Sequence, residues 1–241
     1  MQDRSAILLL GAGASLQAGL PSASAFIEAM IARIRTIDER YSPAASGSLI
    51  NAVATDLESV FGSTELWPTA KGLVDPAFLA QPTDAHRSAT NLFDVVVTTN
   101  YDLLLERALG DDKRAVVSGD TASINLNRPL IIKLHGSIDQ PAGLVLTEID
   151  LANVEKGRPH VWAALEGELR KRPLIAVGSS LRDPSIVRLL QSAQPAMRGW
   201  AVLYEVSAPD RVRLAHWGLK AIEGDTKTFL NALEHEIRTG T

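Results

Sequence analysis

Short, unbroken runs of Val, Ile, Leu and Ala recur along this chain, and between many of them lie segments whose apolar residues repeat every three or four positions. Residues 6–10, 94–98, 115–117, 130–134, 174–177, 201–206 and 219–222 read as short strands, most of them apolar enough to be buried on both faces. Residues 22–34, 103–109, 161–170, 185–191, 211–216 and 226–237 read as amphipathic helices. Phe26, Ile27, Met30, Ile31 and Ile34 mark the apolar face of the first. This alternation predicts an α/β fold: a Rossmann-like, doubly wound parallel sheet with helices on both faces. Residues 38–91 interrupt the pattern. Their helical patches, such as 49–60, are separated by Pro43, Pro68, Pro76 and Pro82, and we read them as a small helical module inserted into one domain spanning 1–241.

In such sheets, ligands bind beyond the carboxyl ends of the strands, where strand order reverses. Four apolar runs end there in polar or glycine-rich clusters. The first is Gly11-Ala12-Gly13-Ala14-Ser15, with Pro21 a little further on. Glycines after a buried strand let backbone approach a pyrophosphate, though a tight strand–helix turn needs them equally, and the spacing departs from G-x-G-x-x-G. The second is Thr98-Thr99-Asn100-Tyr101-Asp102. Asn100 can hydrogen-bond ribose hydroxyls or a water, while Asp102 suits either ligand contact or capping of the next helix. The third, Lys133-Leu134-His135-Gly136-Ser137, offers an imidazole able to take a proton near neutral pH. The fourth is Gly178-Ser179-Ser180-Leu181, with hydroxyls for phosphate or ribose oxygens; the following Asp183-Pro184 reads as a helix N-cap and first helical residue.

Composition removes several alternatives. The 241 residues carry a formal charge of −4, which argues against nucleic acid as the direct ligand. Arg170-Lys171-Arg172 reads as a solvated helix end. There is no cysteine, so thiolate nucleophiles, disulfides and cysteine-held zinc are excluded, and the five histidines hold no i, i+4 pair. No apolar stretch reaches the ~20 residues that span a bilayer. Arg4 and the run 6–14 imitate a secretory signal, but glycines inside the run fit a strand–turn–helix better, so a cytoplasmic location is expected. Neither G-x-S-x-G nor a Walker A motif is present.

Together, these clusters resemble the sirtuin-like superfamily. Gly11–Ser15 with Ala18-Gly-Leu-Pro21 looks like its first NAD loop, and Thr99-Asn100-Tyr101-Asp102 like its Thr-Gln-Asn-Ile-Asp element. Leu134-His135-Gly136-Ser137 matches the segment bearing the family's catalytic histidine, and Gly178-Ser179-Ser180-Leu181 its later ribose-phosphate loop. The deacylases' four zinc cysteines and their Asp-Phe-Arg are missing; Ser22-Ala23-Ser24 follows Pro21, and Tyr204-Glu205-Val206 stands where an adenosine-binding Asn is usual. Leu144–Thr147 with Asp150, and Ser180–Pro184, look like the zinc-free bacterial branch.

The resemblance implies NAD as substrate, no metal, and an NAD hydrolase releasing nicotinamide and ADP-ribose, often in antiphage defence beside partner proteins. It makes Asn100 and His135 the catalytic pair. Gly11, Ala12, Gly13, Ser15, Pro21, Thr99, Asn100, Asp102, Gly178, Ser179 and Ser180 become the NAD-binding set. A module that binds NAD or ADP-ribose without turnover, and an NAD-dependent deacylase or ADP-ribosyltransferase, remain open. Restraint by a protein partner or a homo-oligomer is expected, with residues 38–91 as a candidate gate.

Overall fold

The computed structural model describes residues 6–43, 49–74, 80–110, 114–194 and 196–239. Within them β1 (Ile7–Leu10), β2 (Val95–Thr98), β3 (Ala115–Val117), β4 (Leu130–Lys133), β5 (Leu174–Val177), β6 (Gly199–Leu203) and β7 (Leu219–Glu223) form one sheet. Its order is β3-β4-β2-β1-β5-β6-β7, and every neighbouring pair is parallel. β1 through β4 build outward on one side of β1, and β5 through β7 on the other. The order therefore reverses between β1 and β5, the position at which this class of fold opens a crevice.

Alternation along each central strand feeds two cores. Ile7, Leu9, Val95, Val97, Leu130 and Ile132 face one layer, built from α7 (Glu148–Gly157), α8 (Pro159–Leu169), α9 (Pro184–Ser192) and α10 (Ala208–His216). Leu8, Leu10, Val96 and Ile131 face the other. That layer holds α1 (Gly13–Leu16), α5 (Asp84–Leu92), α6 (Leu104–Leu109) and α11 (Thr226–Thr239). With both faces covered, the strands can be apolar throughout.

A third cluster lies beyond the strand ends. α2 (Ala23–Arg35) packs Phe26, Met30 and Ile34 against Val53, Ala54 and Leu57 of α3 (Leu49–Phe61) and Leu66 of α4 (Ser63–Val74). The same cluster includes Leu104, Ile138 and Leu146, which belong to the segments following β2 and β4. Residues 38–91 thus divide: α3 and α4 pack on α2, whereas α5 packs against α11 and α6 over the sheet.

Three local expectations need correction. Pro68 does not separate two helices but lies inside α4, whose packing on α2 and α3 offsets the backbone bond that proline cannot donate. The strand expected at 201–206 runs from Gly199 to Leu203. A helix absent from the sequence reading, α7, is set by a capping box in which Thr147 accepts from the Asp150 amide and Asp150 from the Thr147 amide. Pro76 lies outside the described residues. Arg170 and Lys171 pair with Glu166 and Glu168, and Arg172 donates to the Leu126 carbonyl, so this basic run is engaged within the fold.

Candidate active site

Sheet register brings the four clusters to one level. Leu10 pairs with Thr98 and with Val177, and Thr98 pairs with Lys133. The chains therefore leave the sheet side by side at Gly11, Thr99, Leu134 and Gly178.

The first and fourth segments meet backbone to backbone. Gly11 N–H donates to the Val177 carbonyl and Gly13 N–H to the Gly178 carbonyl, both at 2.9 Å. A Cβ on Gly11 would lie 2.4 Å from the Gly178 oxygen, so this position is glycine because a second loop occupies the space. Gly178 itself adopts φ +66°, a conformation that favours glycine.

The second and third segments are tied by a cation. Lys133 is fully buried, and its Nζ donates to Glu106 Oε1 (2.7 Å), Ser137 Oγ (2.8 Å) and the carbonyls of Asp102 (2.6 Å) and Tyr101 (3.2 Å). Burial raises the Glu106 pKa, and the ammonium beside it acts in the opposite direction. Buried Arg158 donates to the Lys133, Leu134 and Gly143 carbonyls and so fixes the chain entering His135. Gly136 makes the turn at φ +85°, where a Cβ would sit 2.4 Å from the Gly143 oxygen.

Between these segments lies a cavity of about 220 Å³. Ala12, Ser15, Pro21, Thr99, Asn100, Tyr101, Asp102, His135 and Asp183 line it, and the helical layer closes it with Phe26, Ile50 and Asn51. Ser15 Oγ donates to Asp102 Oδ2 at 2.9 Å. A carboxylate only accepts, so the single serine proton goes to it and the serine oxygen accepts from Asn100 Nδ2 at 3.1 Å. This chain fixes the amide orientation and leaves the Asn100 carbonyl oxygen as an acceptor. Asp102 Oδ1 also accepts from the Leu104 amide (3.0 Å), so Asp102 serves both the helix start and the cavity.

In the same cavity lining, His135 Nε2 lies 2.9 Å from Ser185 Oγ and 3.6 Å from Asp183 Oδ1. Asp183 is the N-cap of α9, as the sequence indicated, and accepts from the Ser185 and Ile186 amides and from the Ser185 hydroxyl. Burial lowers the His135 pKa; Asp183 opposes that shift, whereas Arg158 and Arg188 reinforce it. The Tyr101 ring stands 6.3 Å from the imidazole, and burial raises its phenol pKa.

A second, larger cavity of about 670 Å³ opens on the other side of α1, lined by Gly13, Gly178, Ser179, Ser180, Arg182, Tyr204, Glu205, Asp210 and Asp225 among others. Hydrogen bonds from Ser207 and Arg213 hold the Asp210 carboxyl below the usual carboxylate range. The expected residues are therefore divided. Ala12, Ser15, Pro21, Thr99, Asn100, Asp102 and His135 face the small cavity, and Gly13 and Gly178–Ser180 the large one. Gly11 lines neither of them. The sequence reading missed Lys133, Arg158 and Ser185. A charged residue inside the apolar run 130–134 was the available signal for the first.

A doubly wound parallel sheet with cavities beyond the carboxyl ends of its strands is a Rossmann-like α/β architecture. The profile of the SIR2-like domain matches residues 94–222, and the chain belongs to that family. It is 30% identical over 105 residues to the NAD(+) hydrolase ThsA of Bacillus cereus (strain MSX-D12), a stretch covering 41% of this chain and 22% of that protein. Against NAD(+) hydrolase ThsA of Enterococcus faecium the identity is 26% over 120 residues, covering 47% and 25%. The match thus spans about a quarter of these relatives' length. Two solved structures share the fold at 16% identity, each covering 97% of this chain: a Sir2 homolog–NAD complex (TM-score 0.63, 89% of that chain) and Sir2 bound to acetylated peptide (TM-score 0.58, 93% of that chain).

Proposed function

We propose that this protein is an NAD hydrolase that cleaves the bond between nicotinamide and ribose at the small cavity. The observation that carries the reading is that Asn100, its amide oriented by Ser15, and His135, whose pKa burial lowers, line one cavity beyond the strand ends. The names of the matched relatives support the same chemistry.

In this reading the large cavity takes the adenosine and phosphates, with Gly13 and Gly178–Ser180 beside the pyrophosphate, and the small cavity takes the nicotinamide riboside. Ala12 and Ser15 face one cavity while Gly13 and Leu16 of the same turn face the other, so the two cavities are neighbours across that turn. As the C1′–N1 bond lengthens, its electron pair neutralises the pyridinium and nicotinamide leaves. The Asn100 carbonyl holds a water toward C1′, the new C–O bond forms, and His135 receives the proton. Binding energy from the remote adenosine half fixes this geometry. Asp102 anchors the Asn100 side through Ser15.

The test is nicotinamide release by purified protein carrying Asn100→Ala or His135→Ala. Each should lower turnover by roughly 10²–10⁴, the range of a positioned acid–base group. Wild-type rates in folded variants would refute the assignment. Protein that gains thermal stability from NAD but forms no product would be a binding module instead.

We further place control of the site in a protein partner or homo-oligomer, because unrestrained NAD consumption is toxic; this is the setting implied by the resemblance to antiphage proteins. Specific activity that neither varies with protein concentration nor responds to cell extract would argue against it.

A further inference from the structure

From the geometry we propose that Ser185 and Asp183 form a positioning relay behind His135, one that fixes the Nε2–H tautomer of the imidazole and makes Nδ1 its basic nitrogen. The chemical role given to Nδ1 rests on the hydrolase reading above; the tautomer assignment does not.

The count of hydrogens around Ser185 sets the tautomer. Asp183 Oδ1 accepts from the Ser185 and Ile186 amides and from the Ser185 hydroxyl. A serine has one hydroxyl proton, and here the carboxylate takes it. Ser185 Oγ, fully buried and 2.9 Å from His135 Nε2, can then only accept from the ring. Nε2 must carry a hydrogen, so the neutral ring has its lone pair at Nδ1. An Nε2 lone pair would instead face a serine oxygen whose proton is already committed.

Burial adds force to this. His135 is 4% exposed and Ser185 0%, so solvent cannot repair a mismatched pair. As the bond to C1′ forms, a water proton passes to Nδ1 and the ring becomes imidazolium. Its Nε2–H bond to Ser185 is kept, and Asp183 Oδ1 lies 3.6 Å from Nε2 to oppose the new charge. No proton moves along the relay. Asp183 favours the imidazolium and Arg158 and Arg188 act against it; the Asp102 carboxylate lines the same cavity, and the Tyr101 ring lies 6.3 Å away. The arrangement differs from a Ser-His-Asp hydrolase in that serine is the spacer and attacks nothing. The N-cap geometry of α9 supplies it, since a cap carboxylate already points at the residue two positions on.

The test combines ¹⁵N NMR of the imidazole in the ligand-free protein with three variants. We expect Nε2 in the protonated, pyrrole-like range and Nδ1 in the bare, pyridine-like range; the reverse assignment overturns the relay, whatever the protein does with NAD. Ser185→Ala should lower kcat for nicotinamide release roughly 10- to 100-fold, with KM changed less than about threefold and the acid limb of the pH profile displaced. Ser185→Thr keeps the hydroxyl and should restore most of the rate. Asp183→Asn keeps the cap and, through Oδ1, the acceptor for the Ser185 hydroxyl, so the Nε2–H tautomer should persist; the lost negative charge no longer favours the imidazolium, and the acid limb should move to lower pH. Folded Ser185→Ala protein with wild-type kcat, Ser185→Thr as impaired as Ser185→Ala, or Asp183→Asn with the ring switched to Nδ1–H would each overturn the proposal. A wild-type protein inert toward NAD would refute the hydrolase reading alone, because the NMR assignment would still decide the relay.

Discussion

Ser15 and Ser185 occupy equivalent positions in two hydrogen-bonded chains, each between a carboxylate and a side chain of the small cavity. In both, the acidic residue accepts the serine proton, so the serine oxygen dictates which face of its partner carries hydrogen. Asn100 and His135 stand out in the sequence as candidates because an amide and an imidazole at strand ends are unusual, and the structure brings both to one cavity. The serines that orient them were not singled out for this: Ser15 looked like part of a phosphate loop, and Ser185 like the second residue of a capped helix. Nothing in a linear sequence shows that positions 135 and 185 touch. Protonation gives a prediction at this scale. Burial lowers the His135 pKa below its ordinary value of about 6.5, and in the proposed role as base the imidazole must be neutral to work. The rate of nicotinamide release should therefore persist as pH falls through 6.5 and be lost only below the depressed pKa. A kcat/KM profile whose acid limb lies at or above about 6.5 would contradict this.

At the scale of elements, the alternation of apolar runs and amphipathic segments specified the sheet well. Strands buried on both faces, such as β1, β2 and β4, leave a signal that needs no partner to be read. Elements defined by caps rather than periodicity were harder. α7 has a weakly patterned face and depends on the Thr147–Asp150 box, and α5 is a short helix beneath α11 whose tertiary contacts separate it from the neighbouring module. The roles of the glycines also changed on folding. Gly11 reads in sequence as a ligand-approach position, yet Gly178 and Ser179 fill the space its side chain would need. Gly11→Ala should thus destabilise the fold by about 1–3 kcal/mol through overpacking. Gly119, where an added methyl would meet nothing within 4 Å, is the control and should tolerate alanine with little change. Equal denaturation midpoints for the two variants would show that the loops move apart freely.

For the whole molecule, the main feature is that the α2–α4 layer shares a core with the site. Leu104, Ile138 and Leu146 join its apolar cluster, Asn51 Nδ2 donates to the Leu146 carbonyl at 2.6 Å, and Ile50 and Asn51 line the small cavity. Occupancy of that cavity should therefore be felt across the layer. ADP-ribose is expected to slow amide exchange in α2 and α3 as well as in the strand-end loops, whereas protection confined to the loops would make the layer an inert cover. The clusters at the strand ends made the place of a candidate site legible; its division into two cavities around α1 was not, because it depends on where a four-residue helix lies. The central claim, hydrolysis of NAD at the His135–Asn100 cavity, is tested most directly by incubating purified protein with NAD and no acceptor peptide, and following nicotinamide and ADP-ribose together. The account predicts equal amounts of the two products and their loss in His135→Ala. Nicotinamide that appears only when an acylated peptide is added, or release that survives the substitution in folded protein, would contradict it.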